Sequence, residues 1–398
     1  MSRRNAFTLA AAAIGLAACT EQNAIGPHND HVRLTPAALT TSGAVVWADQ
    51  ITGQTGPGSS YSLNVPANWN GKLVVYVHGF VDVAQPVQLP SIAALRDAIG
   101  EAGYAVAFSS FSENGFDFKD GLQRTHQLRG LFTSRFGNPA QTMVMGHSLG
   151  GLITLALAEK FPDQYNAALP MCGIVGGTRR ELQYMGDVRA LFDFFYPGVL
   201  PGDATTMPLI TNLAAQILIP AQTAIVGNPT GAFVIAGIDQ TPLPGVTPTE
   251  IITSMLTVLG FHARGLDDLT GRAHGSTPYG NAGVTYTSTP YSAFMPAVNS
   301  GIGRFTITPQ AAQWTDQNYE PSGNLAIPVL TLHTSRDPVA PIFNETILAA
   351  KVASAGSSAN LLQRTVSRYG HCTFAPSEIV TALSDLAGWV QTGIKPAS

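Results

Sequence analysis

The first half of the chain alternates two apolar patterns. Short runs rich in Val, Ala and Tyr are separated by longer segments whose apolar residues recur every three or four positions, and this alternation predicts an α/β architecture with a largely parallel sheet. Strands are predicted over 43–51 (GAVVWADQI) and 60–66 (SYSLNVP), the second with every-other-residue alternation. The run KLVVYVHGF at 72–80 is continuously apolar and ends in His-Gly, as expected of a strand covered on both faces that stops in a tight turn. Helical spacing follows over 90–103, a strand over 104–110, a helix over 119–137 closed by Gly137, a strand over 141–146, a helix over 149–161 and a strand over 166–171.

After residue 171 the alternation breaks. Little strand signal appears until IPVLTLH at 327–333, and the chain then closes with a strand within 360–370 and a helix over about 377–390. A stretch of that length inside a regular βα alternation reads as an inserted cap or lid, with both flanks belonging to one core. The expected organisation is therefore a first core part at 43–175, a cap at 176–322 and a second core part at 323–398. Within the cap, residues 204–238 contain no charged side chain, yet Pro, Gly and Asn interrupt them, so they do not form a membrane span. They pack as the cap's own core, or they line an apolar pocket.

Composition narrows the function classes. Charged residues are only 12% of the chain, the net charge is −4 and there is no run of Lys or Arg, which excludes a nucleic-acid partner. Residues 1–19 place Arg3 and Arg4 before an alanine-rich apolar run, the layout of an export signal. The run ends in Leu16-Ala17-Ala18-Cys19, which resembles the bacterial lipobox, so Cys19 is the expected lipidation site, against an ordinary cleaved signal in which it is incidental. A twin-arginine signal fits poorly, because Phe7 stands one residue too far along. Polar residues 20–42, broken by Pro27 and Pro36, read as a tether. The expected location is the periplasm or cell envelope, with a lipid anchor at the membrane.

Gly146-His147-Ser148-Leu149-Gly150 is a G-x-S-x-G motif. The five residues alone are weak evidence, but here they follow an apolar strand and open an apolar helix, the setting in which a sharp turn lifts a serine above a sheet edge. On this motif and its setting the chain resembles the α/β-hydrolases, over about 43–175 and again from about 323 to the end. The resemblance implies the order Ser, acid, His, and an exported serine esterase or lipase-like enzyme. It assigns Ser148 as nucleophile, His371 in the loop before the last helix as general base, and Asp337 in TSRDPVAP as the acid, with Glu345 the nearest substitute. A turn-forming Asp-Pro is the alternative account of Asp337. Backbone N–H groups of Leu149 and Phe80 are the implied oxyanion donors. His147, His78 and His126 are poorly placed as the base. Asp82 reads as a solvated loop carboxylate rather than a substrate ligand.

Carboxylic esters with hydrophobic, uncharged acyl or aryl groups, small or lipid-like, are the expected substrates. A peptidase or acyltransferase with the same triad, or a surface lipoprotein that binds without catalysis, is the alternative. The scattered histidines and the absence of H-E-x-x-H or paired C-x-x-C motifs predict no metal, and no cofactor is expected. With three cysteines in the chain, lipidation of Cys19 leaves Cys172 and Cys372 as an even pair in an oxidising compartment. In the sheet that the resemblance implies, Cys172 ends a strand beside the serine turn, so a bond to Cys372 would hold the His371 loop there; two buried thiols are the alternative.

Overall fold

The computed structural model describes residues 44–397, so the expected signal, Cys19 and the tether lie outside the described residues. Eight strands form one sheet: β1 (Trp47–Gly56), β2 (Ser59–Pro66), β3 (Lys72–Val77), β4 (Ala105–Ser109), β5 (Gln141–His147), β6 (Ala167–Met171), β7 (Val329–Arg336) and β8 (Leu361–Tyr369). Their spatial order is β1-β2-β4-β3-β5-β6-β7-β8. β2 is antiparallel to both of its neighbours, and the pairings from β4 across to β8 are all parallel. Eleven α-helices accompany them: α1 (Ala93–Glu101), α2 (Phe118–Phe136), α3 (Leu149–Lys160), α4 (Thr178–Phe195), α5 (Ile219–Gly227), α6 (Thr230–Ala236), α7 (Pro248–Arg272), α8 (Met295–Gly301), α9 (Pro309–Gln317), α10 (Phe343–Ser354) and α11 (Pro376–Thr392). This strand order, with β2 the one antiparallel strand before the parallel βα units, is the α/β-hydrolase fold expected from the sequence.

Alternation along the central strands explains the layers. In β3, Leu73, Val75 and Val77 join the core under α2 and α3, while Val74 and Tyr76 face the opposite core with α1 and α11. Both faces are covered, so the strand is apolar throughout. β1 differs from expectation: it begins four residues later than predicted and runs on through the polar segment Thr52-Gly53-Gln54. It pairs only with β2 at the sheet edge, so half-exposed polar residues are tolerated there, and local hydrophobicity misplaces its ends.

The connection between β6 and β7 carries α4–α9 and a hydrophobic cluster of its own. Ile217, Leu218, Ala221, Ile225, Val234 and Ile238 all belong to that cluster, so these residues of the charge-free stretch pack as core, while Leu209, Ile219 and Val226 in the same stretch are exposed. Arg189, 1% exposed, is accommodated there by bonding both carboxylate oxygens of Asp193 and the Pro201 carbonyl. The segment returns to the sheet through Glu159 of α3, whose carboxylate accepts from Tyr319 Oη, Ser322 N and Gly323 N.

Two stability tests follow. Phe192 is fully buried at the centre of this second cluster, so Phe192→Ala is expected to cost about 3–5 kcal/mol in urea unfolding. The second concerns pH. Burial pulls the His333 imidazole down, but its hydrogen bond to Glu345 and the charges of Glu345 and Asp337 outweigh this and raise it to about 9. Burial pushes the Glu181 carboxyl up to about 8, and burial with repulsion from Glu113 pushes Asp117 up to about 7. His333 therefore stabilises the fold fully below its unfolded pKa of about 6.5 and loses this as pH rises through 9. The two carboxyls are buried protonated, so their contribution is also lost as pH rises, through about 8 and 7. All three act in one direction, and the thermal midpoint is expected to fall by several degrees between about pH 6.5 and pH 9.

Candidate active site

Ser148 stands between the end of β5 and the start of α3 with φ 57° and ψ −121°. A side chain in the positive-φ region costs on the order of 1–3 kcal/mol, and such strain gathers where function needs it. Two glycines make the turn possible. A Cβ on Gly150 would lie 2.3 Å from the Val77 carbonyl oxygen and 2.5 Å from that of His78, and one on Gly146 would lie 2.6 Å from both the Val77 and Gly150 oxygens. With no side chains there, the first turn of α3 presses against the end of β3 and the His78-Gly79-Phe80 turn. The Ser148 N–H donates to the Met171 carbonyl at 3.0 Å, fastening the elbow to the end of β6.

Asp337 follows β7 and is 1% exposed. Its Oδ1 accepts from Val339 N (2.8 Å) and Ala340 N (3.0 Å), and its Oδ2 accepts from His371 Nδ1 at 2.7 Å. A histidine that donates through Nδ1 to a carboxylate leaves Nε2 as its basic nitrogen. Glu345, the substitute acid, belongs to another network: it accepts from Thr331 Oγ1 and Gln363 Nε2 and meets His333 Nδ1 at 3.2 Å. Asp337 is the carboxylate that reaches His371. Among the described residues, no hydrogen bond joins Ser148 to His371. In free enzymes such contacts are often loose and tighten with substrate.

The serine and histidine loops are nonetheless tied together. Cys172 and Cys372 form a disulfide with Cα atoms 5.3 Å apart, so the expected pairing is present and the free-thiol alternative is not. Cys172 directly follows Met171, which holds Ser148, and Cys372 directly follows His371. Both cysteines have positive φ, 42° and 55°. His371 Nε2 lies 3.4 Å from Cys372 Sγ. The cluster of Cys172, His371 and Cys372 is compact enough for a metal, but bonded sulfurs cannot serve as thiolate ligands.

The other histidines have structural surroundings. His78 donates from Nδ1 to the Gly79 carbonyl at 2.8 Å and stacks on Phe111, and burial lowers it to about 4. His147 shares a hydrogen bond with Tyr76 Oη at 3.2 Å, and burial, aided by the charge of His371, lowers it to about 3. His126 stacks on Phe161 and bonds Tyr165 Oη. Leu149, 3% exposed, opens α3, so its N–H belongs to the helix's unpaired first turn, while Phe80 lies in the facing turn. Asp82 departs from the expected solvated carboxylate. It pairs with Arg264 at 3.2 Å and is largely covered, because α7 lies over its loop.

That helix was not legible as part of the site. Its Phe261 ring packs 6.2 Å from that of Phe80, and Asp268 accepts from Phe116 N at 2.7 Å. Further along the site, Tyr369, two residues before His371, meets Ser254 Oγ at 3.0 Å, and Glu250 pairs with Arg336 at 3.6 Å. One helix thus touches the ends of β7 and β8 and the loops after β3 and β4. Between α4 and α7 runs an apolar slot lined by Leu182, Met185, Phe261, Leu266, Leu269 and Tyr279.

Residues 123–200, which include the elbow, match the family model described as "Putative esterase". An o-phthalyl amidase of Xanthobacter agilis is 27% identical over 117 residues, which cover 29% of this chain and 25% of that protein; the match thus spans about a quarter of the relative's length. Among solved structures, feruloyl esterase B from Aspergillus oryzae is 14% identical, with a TM-score of 0.46, over 87% of this chain and 80% of that one. An esterase from Pyrococcus furiosus is 8% identical, with a TM-score of 0.45, over 91% of this chain and 97% of that one. These structural likenesses are loose, and the fold rests on the strand order itself. With that order and the strained Ser148 elbow, the chain has the α/β-hydrolase fold, and the part of it that carries the elbow is similar to an esterase family.

Proposed function

We propose that the protein is a serine hydrolase that cleaves carboxylic esters through an acyl-enzyme. The observation that carries this reading is the buried Asp337–His371 hydrogen bond of 2.7 Å, tied by the disulfide to the strained Ser148 elbow. In this reading Ser148 Oγ attacks the ester carbonyl while His371 Nε2 takes its proton, then returns it to the leaving alcohol. Asp337 orients the ring and stabilises the imidazolium. The N–H groups of Leu149 and Phe80 receive the developing oxyanion. Water, activated by the same histidine, then releases the acid.

The low charge of the chain, and the pairing of Asp82 with Arg264 rather than with solvent, support uncharged, hydrophobic acyl or aryl esters. The likeness to an o-phthalyl amidase favours a second reading in which an aryl amide is the bond cleaved. We read the protein as exported and lipid-anchored at Cys19, which the sequence of residues 1–19 and the need of a disulfide for an oxidising compartment both support.

A panel of p-nitrophenyl esters of increasing acyl length, beside an aryl amide, tests the reaction. Ester hydrolysis with a preference for apolar acyl groups is expected, and Ser148→Ala is expected to lower kcat by at least about 10⁴-fold and to abolish fluorophosphonate labelling. Labelling that survives Ser148→Ala would refute the assignment. The double variant Cys172→Ala/Cys372→Ala is expected to lose about 2–5 kcal/mol of stability. Its kcat/KM is expected to fall by about tenfold or more because the His371 loop is no longer fixed, as judged by thermal unfolding and steady-state kinetics.

A further inference from the structure

Asp337 has a second histidine beside it. His333, with no exposed surface, places Nε2 4.0 Å from Asp337 Oδ2, the same oxygen that accepts from His371 Nδ1 at 2.7 Å. Oδ2 therefore hydrogen-bonds one imidazole ring and has a second within 4.0 Å.

Hydrogen bonding fixes the protonation of the inner ring. His333 Nε2 is 2.7 Å from the carbonyl oxygen of Ala340, which can only accept, so Nε2 carries a proton. Nδ1 faces Glu345 Oε1 at 3.2 Å, and the other oxygen of Glu345 accepts from Thr331 Oγ1 and Gln363 Nε2, the surroundings of an ionised carboxylate. A ring with an acceptor at each nitrogen holds both protons and is an imidazolium. Ala340 links the two sites, since its N–H donates to Asp337 Oδ1 while its carbonyl receives His333.

We propose that His333, held as a cation by Glu345, is a positioning residue that sets the basicity of His371 through its charge beside Asp337, the carboxylate that His371 hydrogen-bonds. The proposal rests on reading Ser148, His371 and Asp337 as a triad. A fixed positive charge on the far side of Oδ2 weakens the attraction of Asp337 for a second cation at His371 and repels that cation directly. The other groups around the pair are accounted for. Glu345 on α10 and Asp337 are anionic partners, Glu181 on α4 is a buried carboxyl pushed up to about 8, and His147, on the His371 side, is neutral with its pKa lowered to about 3. Burial raises the phenols of Tyr184 on α4 and Tyr369 on β8, and of the nearby cations Arg336 pairs with Glu250 and Arg180 donates to the Gln240 carbonyl. The raised pKa of His333, about 9, accords with the hydrogen-bond pattern.

The test is the pH dependence of kcat/KM with a p-nitrophenyl ester for wild type, Glu345→Gln and His333→Gln/Glu345→Gln, with Ser148→Ala alongside. The double variant removes both buried charges and keeps hydrogen-bonding groups, and near-UV circular dichroism checks its fold. If it does not fold, Glu345→Gln alone, which removes the reason for the second proton, gives the same readout. The acid limb is expected to move up by about one pH unit, a roughly tenfold loss of kcat/KM below the limb. An unmoved limb in a folded variant overturns the proposal, including when activity falls equally at every pH, as a merely structural role would give. Full activity in Ser148→Ala would instead overturn the triad reading itself, whatever the limb does.

Discussion

The site depends on two backbones lying closer than a methyl group would allow. Where α3 begins, Gly150 brings helix and strand so near that a Cβ would stand 2.3 Å from the Val77 carbonyl oxygen. That approach forces Ser148 into its strained conformation and sets the unpaired N–H groups of the helix start beside the turn after β3. The price of the strain is met by α3, whose residues from Leu149 to Ala158 are all buried between sheet and solvent-side helices.

A chain poor in charge nonetheless buries several ionisable groups, and three of them are satisfied in different ways: Asp337 by two backbone N–H groups and His371, Glu345 by Thr331, Gln363 and His333, and, in the segment between β6 and β7, Arg189 by Asp193. The segment between β6 and β7 has its own core, yet α7 meets the loops at the sheet's C-terminal edge through side chains from Glu250 to Asp268. Its position therefore bears on the access of any substrate to Ser148.

The sheet and the serine turn were legible because both are local patterns. Continuous apolar runs mark the central strands, and the turn chemistry of Gly146 to Gly150 marks the elbow. The chain order that the resemblance implies pointed to His371 and Asp337, which the structure places 2.7 Å apart, and counting cysteines pointed to the bonded pair. The edge strand β1 was misplaced because one-sided pairing relaxes the apolar rule. Long-range polar partners left no local trace: nothing near Asp82 announces Arg264, and the helical period of α7 says that one face packs but not against which loops. His333 had a faint signal, four residues before Asp337 at the end of an apolar strand, where an ionisable residue must find partners.

The disulfide also orders events in time. Its cysteines are 200 residues apart, and the whole helical segment and β7 lie between them. During synthesis Ser148 and its flanking strands emerge first, and Cys172 has no Cys372 to pair with until residue 372 has been made. The proposed nucleophile is made long before its base, so a chain that ends between residues 148 and 371 carries Ser148 without His371. Completion of the site waits for residue 371, and its covalent closure for Cys372 and an oxidant.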